Sequence, residues 1–264
     1  MEGNGLESTV YSITFVASFL ILALLEGRFP SHGLHEAVGA RWARHGILLA
    51  VGAVTQALVL RLSPVAAAWS VRDSSWGLLN RDFLPLALRV GLALLALDFV
   101  RYLTHRLFHA FSVLWRIHEV HHSDEDYDVS TSVRFHPLEV IGAKALYVAA
   151  VLVLAPPAIA VLIAEALTAL LNAFTHANVR IPEVWERGLR WVFVTPAAHR
   201  IHHSLDMSDQ NTNFGQTFLW WDRMFGTYRE EARRDEGTGV EGIPATEGNG
   251  ALALLTAPFR RRTF

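Results

Sequence analysis

The chain predicts an all-α fold: a polytopic membrane helical bundle with a cytosolic helical cap that carries a histidine-rich dimetal site. Three observations predict it. Of 264 residues, 52% are hydrophobic and only 18% charged, with a mean hydropathy of +0.26, whereas a soluble domain usually carries about 25% charge. The apolar residues fall in runs long enough for membrane helices. Ten of the thirteen histidines lie between His105 and His203.

The elements follow in chain order. Thr9–Leu25 has no charge and reads as a first membrane helix, near the length of about 20 residues a bilayer needs. Its amino end lacks the positive region of a cleaved signal peptide. Gly46–Leu60 is a second apolar run, ended by Arg61 and Pro64. Phe83–Val100 is a third, interrupted by Arg89 and Asp98. Leu138–Ala155 and Ala158–Phe174 flank Pro156-Pro157. A double proline removes donors and clashes with the preceding turn, so the two runs form a hairpin rather than one helix. Each limb holds about 17 residues, roughly 26 Å. Five membrane segments result, and both histidine-rich stretches, 101–137 and 175–228, fall on one side. Most arginines lie there too, which places that side in the cytoplasm. Three regions are expected: 1–82 with the first membrane helices, 83–228 with the chemistry and the hairpin 138–174, and 229–264 as a flexible tail. The end of that tail, with Arg260-Arg261-Arg262, is expected on the membrane surface.

Composition excludes several functions. Cysteine is absent, which removes disulfides, iron–sulfur clusters and thiol catalysis. Lys144 is the only lysine, so most Schiff-base chemistry is out. A net charge of −2 gives no support for nucleic-acid binding.

Any metal must therefore be held by His, Asp or Glu. His105 and His109 stand four apart, on one helical face, with Asp98 and Tyr102 aligned before them. The third apolar run continues past the membrane to carry this pair. His118, His121 and His122 share one stripe, and His199, His202 and His203 repeat the spacing some eighty residues later. A single metal needs three or four ligands. Eight histidines in three clusters suit two metals, though imidazole does not choose among iron, zinc, copper and nickel. His176 follows Asn172 by four residues and Glu165 by eleven, roughly three turns. His136 sits in an R-F-H-P turn that is either structural or part of the site. Asp98, Glu165, Asn172, Asn178 and Asp222 are candidates for groups that orient the imidazoles. Residues 118–122 also match H-E-x-x-H; there His118 and His122 would hold zinc, with Glu119 as base of an intramembrane peptidase. That reading leaves His121 and the second triplet unused. A non-enzymatic metal or haem protein is the third reading.

The order H-x-x-x-H, H-x-x-H-H, H-x-x-H-H resembles the fatty acid hydroxylase/sterol desaturase superfamily of membrane enzymes. Leu114-Trp115-Arg116, Arg134-Phe135-His136-Pro137, Thr195-Pro196, Asn213-Phe214-Gly215, Trp221-Asp222-Arg223 and Phe225-Gly226-Thr227 carry the likeness further, over about residues 83–228. The resemblance implies a non-haem diiron oxygenase. Its two irons, replaceable by zinc in recombinant material, would sit on His105, His109, His118, His121, His122, His199, His202 and His203, with His176 as an additional ligand and His136 nearby. It further implies dioxygen as cosubstrate and a lipid from the bilayer as substrate, hydroxylated or desaturated. Electrons would come from a separate ferredoxin or cytochrome b5-like donor.

Overall fold

The computed structural model describes residues 2–60, 63–81, 83–233, 237–240 and 250–260. Helices account for the regular structure, and among the described residues no strand forms beyond isolated bridges such as Pro30 with Val179. The order is α1 (Glu2–Arg28), α2 (Val38–Val59), α3 (Pro64–Ser70), α4 (Leu86–Ala110), α5 (Ser112–His122), a 3₁₀ turn (Val129–Val133), α6 (Pro137–Leu154), α7 (Ala158–Thr175), α8 (Glu183–Leu189), α9 (Pro196–His202), α10 (Met207–Gln210), α11 (Trp220–Met224) and α12 (Ala251–Thr256).

Among the described residues, four helical stretches are long and apolar enough to cross a membrane: Gly5–Arg28, Val38–Ser70, Pro137–Leu154 and Ala158–Thr175. The expected hairpin forms as α6 and α7. Its tip turns at Ala155, in the left-handed region at φ 47°, with Pro157 as the N-cap of α7. The third run departs from expectation. It belongs to α4, which is not among the four, because Arg89, Asp98, Arg101 and Arg106 interrupt its length. These polar groups are used within the bundle. Asp98 is buried, and Arg101 reaches Glu165 of α7 at 2.5 Å.

Helices α3, α4, α6 and α7 share an apolar core around Val65, Leu97, Tyr147, Val151 and Val161. Helix α1 packs along α7, and α2 along α6. The outward faces stay apolar, with Leu24 and Leu58 exposed. Such faces suit lipid, which solvates apolar side chains. Polar chemistry collects at one end, where α4 finishes, α6 begins and α7 finishes. There α5 and the segments through α11 form the cap.

Where the structure describes the segment 229–264, it packs against the cap rather than hanging free. Thr238 and Val240 are buried; Leu205 and Gly239 exchange backbone bonds with Gly237 and His203. Leu254 of α12 packs with Leu48 and Val120. The carbonyls and apolar side chains of this stretch find partners that composition does not reveal. Of the expected surface arginines, Arg261 and Arg262 lie outside the described residues, as does Arg61.

Candidate metal centre

Each histidine stretch is placed by a helix end. His105 and His109 lie on the last two turns of α4. Helix α5 starts two residues later and carries His118, His121 and His122 on its final turns. Helix α9 starts with Thr195 as N-cap, its hydroxyl accepting from the Ala198 amide, and Pro196 at its first position. It delivers His199, His202 and, just past its end, His203. His176 is the residue that ends α7.

These side chains converge into two groups. His105, His109, His118, His122 and His202 form one; His121, His176, His199 and His203 form the other, each with ligand nitrogens within 4.8 Å of one another. All but His109 are buried. The groups adjoin: His121 and His122 are sequence neighbours, and the His122 and His203 rings stack at 4.3 Å. Adjacent residues on α5 point into different groups, so the doublets H-H divide between the two.

The nitrogens are arranged for cations. His105 donates from Nδ1 to the Phe214 carbonyl at 2.8 Å, and His202 from Nδ1 to the Thr212 carbonyl at 2.7 Å. Each Nε2 therefore carries a lone pair, yet the two lie 3.0 Å apart. Facing lone pairs at that distance repel unless a cation sits beside both. His118 repeats the pattern: Nδ1 donates to the Glu139 carboxylate at 2.6 Å, and Nε2 lies 3.1 Å from that of His105. In the second group His176 donates from Nδ1 to the Asn172 carbonyl at 2.7 Å and points Nε2 at His121. Further buried nitrogens find no hydrogen-bond partner among the described residues, including Nε2 of His109 and both ring nitrogens of His203. Buried polar atoms are rarely left so. The donor set fits two metal ions with imidazole ligands.

Electrostatics agree. Burial pushes the His105 and His118 imidazoles down to about 3 and His176 down to about 4. His109, His121, His122, His199, His202 and His203 are held well below their ordinary value by burial, and neighbouring imidazoles add to the effect. Neutral imidazole is the form that binds metal.

The residues expected to orient imidazoles divide. Asn172 does so through its carbonyl, while its side chain donates to Ser132 and ties α7 to the 3₁₀ turn. Asp222 acts one step removed. It accepts from the amides of Phe214 and Gly215, fixing the carbonyl that His105 uses. Burial raises its carboxyl to about 6 against the pull of those donors and the Thr227 hydroxyl. The other three, and His136, make their contacts elsewhere. His136 caps α6, accepting from the Leu138 amide, and reaches the Leu255 carbonyl from Nε2. Asn178 binds backbone atoms of Ser31 and His32. Asp98 accepts from the Thr217 amide and the Trp221 indole. Glu165 pairs with Arg101 and Lys144. Polar residues near a site in sequence serve helix ends and interhelical joints as readily as ligands.

Glu139, the carboxylate on His118, escapes a reading of the sequence. The available signal is an acidic residue in the first turn of a helix whose one other charge is Lys144, three positions after His136. Phe135 is a second omission: its ring stacks on His121 at 4.3 Å and 19°. Arg134 completes the motif by donating to the Val120 and Ser123 carbonyls at the end of α5.

A cavity of about 60 Å³ opens between α4, α6 and α7, against histidines of both groups. Thr104, Phe108, Phe135, Ala143, Thr168 and Gln216 are among its other lining residues.

A helical membrane bundle with nine histidines gathered at one end defines the class, an integral-membrane metalloenzyme. The fatty acid hydroxylase family model matches residues 90–227, and the chain belongs to that family; it is an oxidoreductase. It is 28% identical to the ornithine lipid hydroxylase OlsE of Rhizobium tropici over 261 residues, covering 96% of this chain and 76% of that protein. The alkylglycerol monooxygenase of Homo sapiens is 31% identical over 140 residues, 53% of this chain and 30% of that one. Methylsterol monooxygenase 1 of Rattus norvegicus is 28% identical over 153 residues, covering 58% and 50%. No solved structure matches.

Proposed function

We propose that this chain is a diiron lipid monooxygenase that hydroxylates a bilayer lipid with dioxygen and electrons from a separate protein. The observation that carries the reading is the sorting of nine histidines from distant chain stretches into two adjoining groups. The relatives named above act on ornithine lipid, alkylglycerol and methylsterol, which supports a lipid substrate and favours hydroxylation over desaturation. The cap would face the cytoplasm, where reductants are available. Membership in an oxidoreductase family disfavours the zinc peptidase, as does the grouping of His118 and His122 with three further histidines.

Two irons, when bound, supply the activation of dioxygen that oxidation of an unactivated C–H bond requires. The chain's own residues do the rest. Five imidazoles would hold one ion and four the other. The carbonyls of Phe214, Thr212 and Asn172 and the Glu139 carboxylate hold Nδ1 protons, which fixes tautomer and ring direction. The small cavity would seat the reacting carbon against both groups, with Phe108 and Phe135 excluding water. The outcome follows from how closely that carbon is held to the reacting oxygen.

Two measurements test this. Elemental analysis of purified protein should give two metal ions per chain. His121→Ala and His202→Ala, one from each group, should each abolish the oxygen-dependent gain of 16 mass units in membrane lipids while the protein still inserts. Normal product from both variants would end the assignment.

A further inference from the structure

A cavity larger than the one between α4, α6 and α7 lies apart from it. This recess of about 290 Å³ lies in the cap, lined by Ser31 and His32 after α1, by Ala177 and Val179 to Ile181 after α7, and by residues of α9. It shares no lining residue with the small cavity between α4, α6 and α7. The four-histidine group stands between the two. On one side His121, His176 and His199 wall the small cavity. On the other, Tyr127 lines the recess, and its ring lies 5.1 Å from that of His203 and 5.6 Å from that of His176. Tyr127 is fully buried and anchored, its hydroxyl donating to the Thr175 carbonyl at 2.7 Å.

The recess is basic. Arg180 and Arg200 line it, and among the described residues neither guanidinium has a hydrogen-bond or ion-pair partner. The Arg180 amide donates to the Phe29 carbonyl, and the Arg28 guanidinium lies over the Phe29 ring at 5.0 Å. The one carboxylate among the described lining residues, Glu186, is engaged by Arg190 at 2.5 Å and by the Thr195 hydroxyl. Unpaired arginines around a concave opening present a field for an anionic partner.

We propose that this recess is the docking site of an acidic one-electron redox protein, and that Tyr127 marks the point where its electrons reach the four-histidine group. The proposal rests on the oxygenase reading above. That reaction needs a substrate C–H bond, dioxygen, two electrons and two protons, and yields a C–OH bond and water. The donor is oxidised twice, one electron each time, and solvent supplies the protons. Placing donor and lipid on opposite sides of the metal centre lets both be bound at once.

The test uses the full chain in lipid nanodiscs with its metals, the combined variant Arg180→Glu/Arg200→Glu, and two reductants: a reduced acidic ferredoxin, and dithionite with a small viologen mediator. Expected is a drop of about tenfold or more in ferredoxin-supported turnover at low salt, a smaller difference at high salt, and unchanged mediator-supported turnover and metal content. Four results would overturn it: no loss with ferredoxin, equal loss with both reductants, a raised lipid KM with both (which assigns the recess to a lipid headgroup), or a ferredoxin that fails to support the unmodified chain while the mediator succeeds. If the unmodified chain forms no product with either reductant, the oxygenase reading itself fails, and the docking proposal with it.

Discussion

Glu139 shows how much of the proposed metal site lies one contact beyond the histidines. Its carboxylate accepts from His118 Nδ1 at 2.6 Å, so Nε2 is left bare and aimed at the centre. Removing such a partner typically costs 10- to 100-fold in metal affinity. Glu139→Ala should therefore weaken binding at the five-histidine group by about that factor, with the four-histidine group less affected; competition with a chelator, read by metal retained per chain, measures it. Equal retention would mean that packing alone orients the His118 ring. Gly215 has a different role. A Cβ there would meet the Phe218 carbonyl at 2.7 Å and the Asp222 carboxylate at 2.9 Å. Gly215→Ala should push apart the turn that supplies the His105 acceptor, and a lowered unfolding temperature together with metal loss would report it.

The elements are coupled by buried charge as well as by apolar packing. Glu165 on α7 joins Arg101 of α4 at 2.5 Å and Lys144 of α6 at 3.1 Å, and the Arg101 guanidinium also lies over the Tyr147 ring at 4.1 Å. One carboxylate thus holds three helices together. Glu165→Ala leaves two cations facing apolar surroundings, which costs about 3–5 kcal/mol for a buried pair broken on one side. Lys144→Ala leaves the Arg101–Glu165 contact intact and should cost markedly less. Thermal unfolding in detergent compares the two; equal losses would show that the interaction with Lys144 matters as much as that with Arg101. Arg41 plays the matching role in the cap. Fully buried on α2, it donates to Asp124 at 2.7 Å, Asp128 at 2.5 Å and the Asp126 carbonyl at 2.6 Å, holding the loop between the second histidine motif and the 3₁₀ turn.

For the molecule as a whole, the cluster of neutral imidazoles sets a pH dependence. An unfolded histidine titrates near 6.5, whereas His105 and His118 are held to about 3 in the folded protein. Between those values the unfolded chain binds more protons than the folded one, so stability is complete above about pH 6.5 and declines as pH falls toward 3. On the proposed metal assignment, ions held by the same nitrogens would add to the effect, because protons compete for the ligands. Metal content and unfolding temperature should therefore fall together below about pH 6, and chelation at neutral pH should lower the unfolding temperature without acid. A protein equally stable at pH 7 and pH 4.5 would contradict the burial of these rings.

The amino-acid sequence by itself determined the class of this protein. Apolar runs and Pro156-Pro157 define a membrane hairpin because backbone groups in lipid must be satisfied within helices. The repeated H-x-x-H-H spacing aligns three imidazoles because helical periodicity is local. Tertiary structure alone decided what depends on contacts between distant residues. It divided the histidine doublets between two groups, selected Glu139 rather than Glu165 as the carboxylate on an imidazole, turned His136 into a helix cap, and packed the described parts of the 229–264 segment. Helix α4 needed it too: its charges argue against a lipid-facing helix until Asp98 and Arg101 are seen to be matched by partners more than sixty residues away in the chain. A local pattern fixes which face of a helix a residue occupies, but only the assembled bundle decides what that face meets.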